Sequence, residues 1–211
     1  DLRASAVFGI EPDLPLKRAQ SVGTALTLTS AHGWGAAARE ARLALREGAS
    51  TTQQELGAEV FDLSLSGRPA DLLDQAGLPQ DGGHLRLDAV LGLDRPLDRH
   101  IPSAPVRITA ADIRSAELRW GTVQLNGSGR VEITETGQPE GRIALTIRDW
   151  RAARPLATAL GLIKPETAPT VEAALDRLAQ LGGGPDLTLP LVFSDGWMSL
   201  GPVPLGPAPR F

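Results

Sequence analysis

Along most of this chain apolar and polar residues alternate one for one, and that period restricts the fold more than any other feature. In "EVFDLSLSG" (59–67), Phe61, Leu63 and Leu65 fall on one side, with Asp62, Ser64 and Ser66 on the other. "TALTLTS" (24–30) and "GHLRLDAVLG" (83–92) repeat the habit, the second turning fully apolar after Asp88. "PVRIT", "AELRWGTVQLNG", "GRVEITE" and "GRIALTIRDW" carry it on to Trp150. A strand turns successive side chains to opposite faces, so strict alternation marks strands with one buried and one wetted face. "GAAAREARLALREG" (35–48) has helical propensity, yet Ala41, Leu43 and Leu45 alternate with Arg42, Ala44 and Arg46. Pairing with "ELGAEVFDLSLSG" through a polar turn at 48–54 favours a strand.

Turn chemistry separates these runs. The expected turns are Asn126-Gly127 in "LNGSGR", "TGQPEG" (136–141), and Asp195-Gly196 within a hairpin over 187–200. Helical spacing is scarcer. "TVEAALDRLAQLGGG" places Val171, Ala174, Leu175 and Leu178 on one face, with Thr170 as N-cap and Gly182 as stop. "RPADLLDQAGL" and "RPLATALGL" open on Arg-Pro and close on Gly-Leu, proline suiting a first helical position. Each of these two helices lies between alternating strands. That arrangement has two readings, coincidence or an internal duplication of a strand–helix–strand unit, with halves of about 1–100 and 101–211 in a single domain of residues 1–211.

Chemistry is harder to find. The 211 residues carry a net charge of −4, so there is no basic excess to displace the counterions of nucleic acid or to seek anionic membranes. Without cysteine there are no disulfides, thiolate nucleophiles or cysteine metal sites. His32, His84 and His100 lie far apart, and Ser30 with His32 lacks a nucleophile elbow. "LGGGPD" (181–186) follows a helix and has no lysine after it, unlike a phosphate loop. Glu132 with Glu135 and Asp71 with Asp74 suit wetted faces. No catalytic, cofactor-binding or metal-binding residue is singled out, and the expectation is a protein that is not an enzyme.

The residues singled out as ligand or partner contacts are Trp120, Trp150, Trp197, Pro202, Pro204 and Phe211. Indoles at strand ends serve either to cap a core or to anchor a partner at an apolar groove. Trp34 belongs to the same set. The tail "GPVPLGPAPRF" ends on an aromatic, as outer-membrane barrel proteins do, but its prolines lack the N–H groups a membrane strand needs. It reads as a polyproline-like segment that shields a sheet edge and cannot extend it. No apolar run approaches the ~20 residues of a membrane helix. A chain starting at Asp1 without a basic-then-apolar leader fits a processed or truncated product.

"RWGTVQLNGSGRVEI", "GRIALTIRDW" and "LPLVFSDGWMSLGPVPLGPAP" resemble the domain of unknown function 2125 family of alphaproteobacterial exported proteins. The resemblance is carried by residues from about Trp120 to Pro209. It implies a periplasmic protein, made with an N-terminal membrane segment or signal, and brings no catalytic residues. The hairpins also look like those of the AsmA-like envelope proteins, whose curved sheets form apolar grooves associated with lipid transport. The expected architecture is α+β and β-rich, a curved and mainly antiparallel sheet with two to three short helices packed on one face. The expected partners are a lipid or another envelope protein, with no nucleic acid and no cofactor. Arg119, Arg130 and Arg142 are candidates for pairing with a phosphate at a groove rim.

Overall fold

The computed structural model describes residues 1–159, 168–181, 186–201 and 203–210. Its frame is one open sheet of eleven antiparallel strands, each hydrogen-bonded to the next in chain order. The strands are β1 (Leu2–Phe8), β2 (Leu16–Thr29), β3 (Gly35–Glu47), β4 (Gln53–Ser66), β5 (Gly83–Leu93), β6 (Ile108–Trp120), β7 (Val123–Ile133), β8 (Pro139–Arg148), β9 (Leu187–Ser194), β10 (Trp197–Leu200) and β11 (Val203–Pro207). The segment of mixed propensity is β3. It pairs with β2 on one side and β4 on the other, and this ladder outweighs the helical preference of its alanines and arginines.

Among the described residues three helices interrupt the meander: α1 (Arg68–Gln75), α2 (Trp150–Ala159) and α3 (Ala168–Leu181). Pro69 sits in the first turn of α1. At its other end the Leu78 N–H donates to the Leu73 carbonyl at 2.8 Å and the Gly77 N–H to Asp74 at 2.9 Å. With Gly77 at φ 68° this is a Schellman ending, the job its glycine promised. α2 departs from expectation. It starts at Trp150, so Pro155 lies inside the helix, where its ring removes one backbone donor. α3 begins at Ala168, which places Thr170 within its first turn instead of at the cap. The expected stops at Gly161-Leu162 and Gly182 lie outside the described residues.

Two further expectations give way. Asn126-Gly127 is not a turn but the middle of β7, paired with Glu117 and Ala116 on one side and Thr146 and Leu145 on the other. A Cβ at 127 would lie at ordinary contact distance, 3.4 Å, from Ile143 Cγ2, so this strand position does not itself require a glycine. The reversal lies earlier, at Gly121-Thr122, where Gly121 takes φ 56° and Trp120 faces Val123. The tail, expected to stop the sheet, instead adds β11 to it, with Trp197 opposite Pro207 and Ser199 opposite Pro204. An outermost strand needs ladder donors on one side only, and a register shift between Met198 and Ser199 absorbs the misfit. The Asp195-Gly196 turn between β9 and β10 is as expected, with φ of 53° and 75°.

The core divides into two clusters. Leu73, Ala76, Leu78, Trp120 and Val123 form one, with Leu63, Leu65, Leu118, Leu125, Ala153 and Leu156 packed around it. Trp150, Leu175, Ala179, Leu187 and Leu189 form the other, with Ile147 and Leu200. No helix among the described residues is long and apolar enough to cross a membrane.

Candidate functional site

Cross-strand partners share a face of the sheet, so the register reveals how each face is composed. One rung runs through ten strands: Ala6, Ala19, Leu45, Leu56, Ala89, Ile113, Gly129, Ile143, Leu191 and Leu200. None of these side chains is polar. The next rung on the same face reads Ala4, Ser21, Leu43, Ala58, Leu87, Ala116, Gly127, Leu145 and Leu189. A third passes from Leu2 through Gly23, Ala41, Val60, Leu85, Leu118 and Leu125 to Ile147 and Leu187. Ser21 is the one polar side chain on the three. Neighbouring strands lie ~4.8 Å apart, so ten of them carry this face over roughly 45 Å.

The opposite face is a charge lattice. Arg42, Glu59, Arg86 and Glu117 are successive partners on β3 to β6, so signs alternate across the sheet. Glu55 accepts from Arg46 and, at 3.1 Å, from Arg114, and these guanidinium hydrogen bonds, that of Arg46 first, hold its carboxyl below the usual range. His84 Nε2 lies 3.1 Å from Glu59 and its Nδ1 2.9 Å from Arg119, while its ring packs against Phe61 with centroids 5.0 Å apart. Arg119 is thereby engaged within the sheet. Arg130 and Arg142 face each other on β7 and β8, and Arg130 also reaches Glu132 at 3.3 Å.

Much of the apolar face is only half covered. Leu56, Leu87, Ile113, Ile143, Leu145 and Leu191 are half-buried, whereas Leu43 is 43 % and Leu2 68 % exposed. A shallow hollow of ≈ 320 Å³ opens beside β1, lined by small residues such as Ala4, Ala6, Ala19 and Ser21 against Leu43 and Leu45. Deeper in the face the chain leaves one polar group stranded. Gln54 is 1 % exposed, and neither its Oε1 nor its Nε2 has a hydrogen-bond partner among the described residues. It stands between Glu47 and Leu91, one step beyond the series Leu56, Ala58, Val60. The sequence did contain that signal, since the period-two series of β4 runs straight back to Gln54.

The singled-out residues do not gather in one place. Trp120 and Trp150 lie in the two core clusters, at 6 % and 4 % exposure. Trp120 Nε1 donates to the Pro79 carbonyl at 2.6 Å, while Trp150 Nε1 is buried with no partner among the described residues. Trp197 is 61 % exposed on β10, opposite Pro207, and Pro204 lies on β11. Pro202 and Phe211 lie outside the described residues. The Ser30 hydroxyl accepts the His32 N–H at 3.1 Å in an exposed serine turn between β2 and β3. No cluster of three metal-ligating side chains occurs among the described residues.

Residues 1–209 match the family described as an uncharacterized protein conserved in bacteria (DUF2125). The chain belongs to that family. The match spans both the half that carried the resemblance and the N-terminal half, and it covers all eleven strands. No curated protein and no solved structure matches the chain.

Proposed function

We propose that this DUF2125 protein binds a lipid, or another ligand with a long apolar chain, against the apolar face of its sheet and carries out no chemistry on it. The observation behind this reading is the ten-strand rung without a polar side chain, with two further rungs almost as apolar running beside it on one side. A water-facing sheet face of that breadth would be a standing cost, at about 25 cal/mol for each Å² left exposed. In this reading the three helices cover part of the same face at one end of the strands. α1 and α2 share a cluster with Leu118 and Leu125 of the third rung, and α3 shares one with Ile147 and Leu187 of that rung and Leu189 of the second. Bulges at 60–63 and 113–116 bend their strands, and the proposal takes the face to be a groove with a helical roof at one end. An acyl chain laid along the rung gains ~0.8 kcal/mol per buried methylene, which needs no attraction from the net negative charge. The periplasmic, envelope-associated location is part of the proposal and rests on the sequence resemblance, as does the analogy with AsmA-like grooves.

Native mass spectrometry on protein purified from its own membrane fraction tests the reading. Co-purifying phospholipid, or uptake from liposomes, is expected. Leu56→Asp on the apolar face should abolish it, and Thr188→Asp on the polar face should not. A bare mass with no uptake from liposomes would end the lipid reading.

A further inference from the structure

Among the described residues β1 and β11 are the edge strands of the sheet, and the two edges are chemically unlike. β11 ends one side with Pro204 and Pro207 in a five-residue strand, so two of its positions have no N–H to offer a further strand. β1 ends the other side with no proline, and all seven of its residues are exposed. Asp1 and Thr24 exchange both backbone bonds, at 3.1 and 2.8 Å. In an antiparallel ladder such pairs alternate, so Arg3, Ser5 and Val7 bond inward to β2. The N–H and C=O groups of Leu2, Ala4, Ala6 and Phe8 therefore point away from the sheet.

We propose that β1 is a docking edge for a second copy of this chain, the two β1 strands pairing antiparallel about a two-fold axis normal to the sheet. The sequence of β1 is self-complementary in that register. Ala4 exchanges backbone bonds with the partner's Ala6, and Leu2 with the partner's Phe8, so every outward group finds one. Arg3 then faces the partner's Val7, which keeps like charges apart, and Ser5 faces the partner's Ser5. A two-fold normal to the sheet keeps both apolar faces on one side and joins them. The partner's Phe8 falls diagonal to Ala4, beside the ≈ 320 Å³ hollow that the small residues leave. Because the β11 edge is closed by proline, pairing stops at two copies and does not propagate into a fibre. The proposal stands on edge geometry and does not depend on what the apolar face binds.

Sedimentation velocity over a concentration series, together with one cross-link, tests it without reading lipid. The wild-type chain should reach a dimer at high concentration and no larger species. Ala4→Pro removes an outward N–H and leaves the ladder to β2 intact, so it should give a monomer with an unchanged circular dichroism spectrum. The chain has no cysteine, so Ser5→Cys provides a single thiol. Facing non-hydrogen-bonded residues lie ~4.5 Å apart at Cα, within disulfide reach, and mild oxidation should give a covalent dimer. Adding Ala4→Pro to Ser5→Cys should cut that product at least tenfold. A wild-type monomer at every concentration overturns the proposal. So does a dimer that survives Ala4→Pro, or one in which Ser5→Cys fails to cross-link. A monomer whose Leu2, Ala4 and Ala6 amides resist hydrogen exchange would show that another part of the same chain covers the edge, and equally overturns it.

Discussion

The indole of Trp120 lies so close to Gly83 that a Cβ placed there would come within 2.3 Å of Cζ3. β6 ends on this tryptophan, β5 begins on the glycine, and Trp120 Nε1 is tied to the Pro79 carbonyl in the segment between α1 and β5. The indole thus fixes where that segment enters the sheet, and no ligand needs to explain it. Trp120→Ala should cost about 3–5 kcal/mol, the range for a buried aromatic truncated in a core. Gly83→Ala should cost about 1–3 kcal/mol by overpacking the same contact. Urea unfolding followed by circular dichroism measures both, and a Trp120→Ala loss below ~1 kcal/mol would place the indole outside the core.

Gln54 offers a change in the opposite direction. A buried amide with no partner carries a desolvation cost of ~1–3 kcal/mol, which an apolar side chain of similar volume does not. Gln54→Leu or Gln54→Met should therefore raise stability by about 1 kcal/mol, read as a higher urea midpoint at unchanged slope. A loss would mean that an internal water or a polar ligand satisfies the amide in solution.

Acid should loosen the excursion between β5 and β6. Asp94 accepts the Arg107 N–H at 2.9 Å, and this bond, aided by the Arg107 guanidinium, holds its carboxyl below the ordinary 3.8. A depressed carboxylate contributes its stability fully above the unfolded value and loses it as pH falls through the folded one. The melting temperature should thus fall more steeply below about pH 4 in the wild type than in Asp94→Asn, which is weaker at neutral pH to begin with. Parallel curves for the two proteins would remove Asp94 from the account.

How much of this was readable beforehand follows from what each signal depends on. Most strands from the second half of β2 to β10 were legible because alternation is local, and even β3, with alanines and arginines that favour a helix, kept its period, whereas β1 and β11 were not read as strands. Asn126-Gly127 misled because the same dipeptide serves a type I′ turn or the middle of a strand, a distinction that only the neighbouring strands make. Pro155 misled in a similar way, since an Arg-Pro start and an interior proline look alike until Trp150 is seen to start the helix. The apolar face was half legible. Each strand showed an apolar side, but the alignment of ten such sides into one rung is a property of register, carried by pairs such as Leu56 with Ala89 and Gly129 with Ile143.

The tail provides the last test, because its prolines have a structural consequence. β11 pairs with β10, and the Ala208 N–H donates to the Gly196 carbonyl at 2.8 Å, so the strand is fastened at its far end as well. Ending the chain before Val203 would strip those bonds from β10, which at four residues is the shortest strand of the sheet. At ~0.5–1.5 kcal/mol for each backbone bond, the loss should be about 2–4 kcal/mol. Substituting Pro204 and Pro207 together by alanine acts differently. It leaves β11 in place and gives the edge two N–H groups, so the fold should persist while the edge becomes a template for further pairing. Light scattering at rising concentration should then show species larger than a dimer, absent from the wild type. If the double variant assembles no further than the wild-type chain, the prolines are not what closes this edge.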